Sequence, residues 1–114
     1  MSAVTTHVLD AALGRPALGV PVRLEHISDL TEQVAQKLAV GVTDPDGRVG
    51  DLGPDRLEIG IYRLTFDTAT YFASTDQTGF YPMISVTFHL IDSSRHYHVP
   101  VLLSPFAYST YQGS

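Results

Sequence analysis

Residues 84–90 read ISVTFHL, so that every second side chain from Ile84 to Leu90 is apolar. Successive side chains of a β-strand point to opposite faces, and this spacing of two therefore predicts a strand with one buried face. The same spacing recurs in short runs that are rich in Val, Thr, Tyr and Phe, as half-buried strands are. These further runs start at Val20, Val34, Tyr62 and Tyr97.

Turn residues separate the runs. In Asp44-Pro45-Asp46-Gly47, proline fixes φ and glycine supplies a positive φ, which together favour a tight turn. Seven or eight strands and one short helix follow, with Asp67 as the helix N-cap, and they indicate an all-β fold in which two antiparallel sheets pack as a β-sandwich. The expected strands cover 3–10, 20–27, 34–43, 48–52, 57–67, 82–92, 95–104 and 106–113, and the expected helix lies near 67–75.

The parity of the apolar residues predicts which face of each strand is buried. In the run from Val34, the apolar residues fall on one parity with Gln36 as the exception, so we expect that side to face the core. They are Val34, Leu38, Val40 and Val42. Pro100 lies inside the strand expected over 95–104 and has no N–H to donate, which predicts an edge strand or a locally irregular one.

Composition limits the class of protein. The 114 residues are enough for one domain, 1–114, and 44% of them are apolar. The net charge of −5 and the scattered Lys and Arg argue against nucleic acid or an anionic membrane as a partner. The sequence has neither a signal-peptide pattern at its start nor an apolar run long enough to span a membrane. Because cysteine is absent, we expect a cytoplasmic protein.

Histidines and one arginine are the candidates for chemistry. His96 and His98 stand two apart on a predicted strand, so their side chains project from the same face. His7 lies in the first strand on the parity opposite to its apolar side chains, and we expect it to face away from the core. Arg48 follows the tight turn, which is a rigid platform for a guanidinium that holds a planar polar group.

Each of these residues also has a simpler explanation. A single strand histidine is usually solvated or bonded to a neighbour, and Arg48 alone fits a surface charge. His96 and His98 would also fit half of a zinc site with His7 as third ligand, but no cysteine or carboxylate lies close in sequence to complete it. We therefore expect neither a metal nor a cofactor.

Several segments, in one order along almost the whole chain, resemble a known family. They are Thr5-Thr6-His7-Val8-Leu9-Asp10 with Leu13-Gly14-Arg15-Pro16, Thr43-Asp44-Pro45-Asp46-Gly47-Arg48, Gly60-Ile61-Tyr62-Arg63-Leu64 with Asp67-Thr68, Phe80-Tyr81-Pro82, His96-Tyr97-His98-Val99-Pro100 and Leu102-Leu103-Ser104-Pro105. The family is that of the 5-hydroxyisourate hydrolases, the transthyretin-related enzymes of urate catabolism.

The resemblance implies a transthyretin-like sandwich that assembles as a homotetramer, a dimer of dimers, with sites in the cleft between dimers. The implied reaction is hydrolysis of the N1–C6 amide of 5-hydroxyisourate to 2-oxo-4-hydroxy-4-carboxy-5-ureidoimidazoline. It implies His7, Arg48 and His98 as the catalytic set, with either histidine activating water and Arg48 holding the urate-like oxygens. Tyr111 and Ser114 would complete the substrate pocket as its floor.

The C-terminal signature departs from the family at one position. Where the family has Tyr-Arg-Gly-Ser, this chain reads Tyr111-Gln112-Gly113-Ser114, so that Gln112 replaces an arginine. Strand alternation would place Gln112 on the face opposite Tyr111, which predicts that it supports the site or an interface and does not contact substrate.

Two other classes of function compete with the hydrolase. A non-catalytic small-ligand carrier of the transthyretin type would need unreactive residues in place of the histidines and Arg48. A structural or adhesive sandwich module is disfavoured, because linkers, a signal peptide and cysteines are all missing from the sequence.

Overall fold

A computed structural model describes residues 2–114, and within them the chain forms eight strands and one helix. In chain order these are β1 (Val4–Asp10), β2 (Arg15–Pro16), β3 (Pro21–Asp29), β4 (Val34–Val42), β5 (Gly60–Phe66), α1 (Thr68–Ser74), β6 (Ile84–Leu90), β7 (Tyr97–Leu103) and β8 (Tyr108–Thr110). The strands form two four-stranded sheets, with the orders β2-β1-β7-β8 and β4-β3-β5-β6.

The two sheets enclose one buried apolar cluster, which confirms the predicted all-β sandwich with one short helix. Every strand pair is antiparallel except β1 and β7, which run parallel with Val4 opposite Tyr97 and Asp10 opposite Leu103. Both sheets contribute fully buried side chains, because in each strand the apolar side chains on one face point towards the opposite sheet. Among them are Val4, Val8, Val101, Leu24, Leu64 and Phe66.

The expected buried face of β4 is wrong for its valines, although the strand itself is present. Val40 pairs with Arg23 and is 62% exposed, and the other valines of this parity are exposed as well, whereas Leu38, next to a shift in the register, packs against the core. The inward positions hold small residues, and a Cβ added at Gly41 would lie only 2.4 Å from Cγ1 of Val49. Residues after the Asp44–Gly47 turn therefore occupy the space beneath β4. Valine is common on either face of a strand, which is why its parity misled the prediction.

The strand expected over 48–52 is also wrong, because only Arg48 makes a bridge there, to His7. The rest of that segment is loop, although Leu52 is buried in the core. The turn region around Arg15 contains a two-residue strand, β2, that the sequence pattern did not indicate. β8 is shorter than the expected 106–113 and has only three residues.

Pro100 lies in an inner strand, since β7 is flanked by β1 and β8, so the expected edge position is wrong. The local irregularity expected from a missing N–H is present. β8 pairs only with Val101–Leu103, and the Pro100 carbonyl accepts a hydrogen bond from the Thr110 hydroxyl at 2.8 Å. Pairing with the tail resumes at Gly113, whose N–H donates to the His98 carbonyl at 2.8 Å.

The single helix begins where the sequence predicts it. Asp67 is the N-cap, and its carboxylate accepts the Thr70 N–H at 3.1 Å, which satisfies one of the free donors of the first turn. Tyr71 and Phe72 bury their rings against the sandwich. With only seven residues, α1 is too short to cross a membrane, and residues 2–114 contain no other helix.

A buried carboxylate joins the helix to the first sheet. Asp10 is 1% exposed at the end of β1 and accepts hydrogen bonds from the Tyr71 hydroxyl at 2.5 Å, the Leu13 N–H at 2.8 Å and Nε2 of Gln77 at 3.1 Å. Burial by itself raises the pKa of Asp10, but these donors outweigh it and hold the pKa below its ordinary value. Burial and the adjacent Asp10 raise the pKa of Tyr71, which therefore keeps its proton and donates.

We expect Tyr71→Phe to lower the free energy of unfolding by about 1–3 kcal/mol at pH 7, because it leaves a buried carboxylate short of one donor. Asp10 is more acidic in the folded chain than in the unfolded chain. Its stabilisation is therefore present above the ordinary carboxyl pKa and is lost as pH falls through the lower, folded value. The difference between variant and wild type should narrow in acid, as measured by urea unfolding at several pH values. Tyr108→Phe, at an exposed tyrosine, is the control.

Candidate active site

β1 sorts its side chains by face as the sequence predicts. Val4, Thr6 and Val8 are buried, whereas Thr5 and His7 lie half-buried on the outer face of the first sheet. The outer position of His7 is therefore confirmed. Because strand geometry fixes the direction of both outward side chains, Thr5 and His7 form a rigid row on which a site can be built.

A tight turn carries Arg48 to the same face. The Asp44 carboxylate accepts the Arg48 N–H at 3.0 Å, and the Arg48 carbonyl accepts the Asp44 N–H at 2.7 Å. Gly47 has φ +79°, and a Cβ there would lie 2.4 Å from the Val8 carbonyl, so a side chain does not fit. The Val8 N–H donates to the Gly47 carbonyl at 2.8 Å, which docks the turn on β1 and pairs Arg48 with His7.

β7 supplies the third residue. In the parallel register His98 lies opposite Thr5, and His7 lies opposite Pro100. His98 is half-buried, and its Nδ1 is 2.8 Å from Oγ1 of Thr5. The structure thus brings His7, Arg48 and His98 together on one face, from three separate parts of the chain.

The electrostatic environment of His98 favours its neutral form. Burial lowers its pKa most, and the nearby Arg48, His7 and His96 lower it further, while a hydrogen bond with the Thr5 backbone acts in the opposite direction. A lowered pKa means that the imidazole is unprotonated near pH 7. It can therefore take a proton from a donor such as water.

Thr5 is the residue at this face that the sequence interpretation did not select. Its hydroxyl oxygen is 2.8 Å from Nδ1 of His98 and also 2.8 Å from Nε2 of His96. The available signal was its parity, which it shares with His7. Threonine is so common in strands that parity alone does not distinguish a functional threonine from an ordinary one.

The zinc alternative finds no support in this arrangement. Within residues 2–114, no three histidine, aspartate or glutamate side chains stand close enough to hold a metal ion together, and His7, His96 and His98 are no exception. The nitrogens of His96 and His98 that face one another are both bonded to the Thr5 hydroxyl.

The C-terminal tail borders His98. A Cβ on Gly113 would lie 2.6 Å from Cδ2 of His98, so glycine is what allows the tail to approach the ring. Tyr111 and Gln112 line a groove of about 260 Å³ that His98 also lines, whereas His7 and Arg48 do not line it. Both residues lie beyond β8, so the strand alternation on which the expectation of opposite faces rested does not extend to them. Ser114 follows Gly113 as an exposed residue.

Comparisons with known proteins identify the family and the fold. Residues 4–113 match the model of the HIUase/Transthyretin family. The chain is 42% identical to a 5-hydroxyisourate hydrolase of Mus musculus over 114 residues, which cover 99% of this chain and 96% of that protein. Among solved structures, Klebsiella pneumoniae 5-hydroxyisourate hydrolase matches with a TM-score of 0.83 and 32% identity, covering 97% of this chain and 98% of that one. Sea bream transthyretin in complex with thyroxine matches with a TM-score of 0.88 and 31% identity, covering 97% and 94%.

Proposed function

The chain belongs to the HIUase/Transthyretin family, and we infer that it is a cyclic amide hydrolase that acts on 5-hydroxyisourate in urate degradation. The inference rests on the 42% identity, over 99% of this chain, to a protein named 5-hydroxyisourate hydrolase. The outer face of the first sheet supports it, because two imidazoles and a guanidinium are suited to proton transfer and to binding a urate-like ring. The carrier alternative, suggested by the thyroxine-bound relative, has no comparable support in these side chains.

Ring opening of 5-hydroxyisourate consumes one water at the N1–C6 amide and yields 2-oxo-4-hydroxy-4-carboxy-5-ureidoimidazoline. The step requires a base to deprotonate water, donors that hold the planar ring and positive charge where oxygen becomes anionic. No cofactor takes part in the mechanism that we propose, and this chain's own residues supply each requirement.

We assign deprotonation of water to His98. Its Nδ1 is bonded to Thr5, so Nε2 is the atom that meets the substrate side. The lowered pKa keeps the ring neutral near pH 7, and in the tautomer that donates from Nδ1 to Thr5 the lone pair is on Nε2. A positioned general base contributes about 10²–10⁴-fold to a rate. His7, which is paired through its backbone with Arg48, is placed to bind the ring and donate to the amide nitrogen that leaves.

We assign binding of the substrate oxygens and stabilisation of the developing oxyanion to Arg48. Its backbone is held by Asp44 at both N–H and carbonyl, while its side chain is exposed and available to a ligand. A guanidinium donates in a planar fork that matches two oxygens at once, and its charge does not vary near neutral pH.

Tyr111 and Ser114 form the floor of the pocket in this proposal. Tyr111 is 58% exposed in a single chain, so a second subunit must cover the pocket if substrate is to be shielded from water. Large apolar side chains are also exposed in the loops that flank the first sheet, including Leu18 at 55% and Phe106 at 72%. Exposed apolar groups of this kind mark subunit contacts, and we propose a homotetramer, a dimer of dimers.

We expect His7→Ala, Arg48→Ala and His98→Ala each to lower kcat/KM for 5-hydroxyisourate by about a hundredfold or more, the scale of a lost base or oxyanion donor. The absorbance of 5-hydroxyisourate gives the rate directly. His26→Ala and His89→Ala are the matched controls, because both residues lie on the second sheet, and they should retain wild-type activity. Full activity in His98→Ala would refute its assignment as base.

The tetramer is tested by sedimentation velocity at micromolar concentration, where we expect one species of four chains. Phe106→Glu places a charge in the proposed apolar contact and should dissociate the tetramer, whereas Leu30→Glu, at an exposed leucine between β3 and β4 of the other sheet, tests whether any added charge has this effect. A wild-type monomer that turns over at full rate would contradict both the assembly and the shared pocket.

We expect Gln112→Arg to leave the fold unchanged and to raise kcat/KM modestly or not at all. Gln112 is exposed beyond β8, and glutamine keeps hydrogen bonding while lacking only the charge. Steady-state kinetics with circular dichroism as a check on folding measure the effect. An inert wild type that Gln112→Arg activates by several orders of magnitude would show that Gln112 marks a lost or redirected function and would refute the hydrolase assignment.

A further inference from the structure

One hydroxyl links two imidazoles at the active face. Oγ1 of Thr5 lies 2.8 Å from Nδ1 of His98 and 2.8 Å from Nε2 of His96. A hydroxyl carries one hydrogen and accepts through its lone pairs, so at neutral pH it donates to one ring and accepts from the other. The Thr5 hydroxyl therefore joins His98, the ring nearer the substrate, to His96, the ring nearer the solvent.

The direction of the two hydrogen bonds fixes the tautomer of His98. If His98 donates from Nδ1 to Thr5, and Thr5 donates to Nε2 of His96, then Nε2 of His98 carries a lone pair and can act as base. If both hydrogen bonds reverse, Nε2 of His98 carries the proton and cannot act as base. The state of His96 is therefore coupled to the state of His98, although the two rings are not bonded to one another.

Burial and neighbouring charges disfavour positive charge at His98. His98 is half-buried, and both Arg48 and His7 oppose its protonation. His96 is exposed to water, and it lines a surface depression with Asp55, Arg56 and Arg95. A proton that arrives at His98 therefore gains hydration if its charge moves outward to His96.

We propose that Thr5 and His96 form a proton relay that carries away the proton taken up by His98 during hydrolysis. The inference rests on the proposed function and deepens it. Water loses a proton to Nε2 of His98 as its oxygen bonds to the substrate carbonyl carbon. The Nδ1–H bond of His98 then breaks and its proton passes to Oγ1 of Thr5, while the hydroxyl proton of Thr5 passes to Nε2 of His96.

The relay returns His98 to a neutral ring and leaves His96 as the imidazolium, so atoms and charge balance. The leaving amide nitrogen takes its proton separately, from His7 or from solvent. His98 is now protonated at Nε2. His96 releases its Nδ1 proton to water, and both rings regain their starting tautomers by proton exchange with water once the product has left, while the two hydrogen bonds reverse. Thr5 and His96 are positioning residues in this scheme, since they act through His98. Their loss should therefore lower kcat while KM stays near its wild-type value.

The kinetic test uses Thr5→Val, which keeps the shape of the side chain and removes the hydroxyl. We expect kcat to fall about tenfold or more, with Thr5→Ser restoring most of it. His96→Gln keeps an acceptor for Thr5 but cannot take up a proton, and its kcat should fall in the same way. Thr87→Val, at an exposed position of β6, and His26→Gln, on β3 of the second sheet, are matched controls and should be silent.

A proton inventory in mixed H₂O and D₂O separates a relay from simple orientation of His98. Several protons in flight give a curved dependence of kcat on deuterium fraction in the wild type, and Thr5→Val should make it linear. If His96→Gln retains wild-type kcat and the same curvature, Thr5 only orients His98 and the relay is refuted.

A second readout needs no substrate. Nitrogen-15 NMR of the histidine rings reports the tautomer of His98, which should be mainly Nδ1–H in the wild type. In His96→Leu the Thr5 hydroxyl loses its acceptor and turns to donate to His98, so the Nε2–H form should grow. An unchanged tautomer would overturn the relay. A wild type without hydrolase activity would overturn the proposed function, and the NMR result would still decide the coupling.

Discussion

The parallel pairing of β1 with β7 determines which side chains can meet at the active face. Its register places Thr5 beside His98 and His7 beside Pro100, with all four on the outer parity. A slip of one residue in either strand would turn that strand's outward side chains into the core and bring apolar ones out. The buried valines of the two strands therefore do more than stabilise the sandwich. They fix the register, and through it the contact between Thr5 and His98.

Much of the fold was predictable because a period of two is a direct consequence of strand geometry. The period located β1, β3, β6 and β7 well, and Asp67 marked the helix start. It failed at β4, where the sequence shows alternation but not which parity is covered. The cover comes from Val49, a residue in a loop with no periodic pattern of its own. Partners that are distant in the chain decide such cases, and local sequence does not contain them.

Resemblance and strand parity identified the catalytic candidates from the sequence, but neither predicted the charges and contacts that surround them. Spacing placed His96 and His98 on one face, and the tight turn marked Arg48. The lowered pKa of His98 depends on charges contributed by β1 and by the turn, which only the folded chain brings near it. The sequence did not indicate Thr5 for the same reason, because its role depends on contacts with Nδ1 of His98 and Nε2 of His96 that exist only in the folded chain.

Pro100 releases the C-terminal tail from the sheet. It cannot donate to a partner strand, and Tyr111 and Gln112 consequently run free of the ladder between β8 and the bridge at Gly113. Side chains at these two positions can change without breaking a backbone hydrogen bond or opening a hole in the core. The rim of the pocket can therefore diverge among related chains while the scaffold stays the same. A glutamine in place of the family's arginine at position 112 is a variation that this freedom permits.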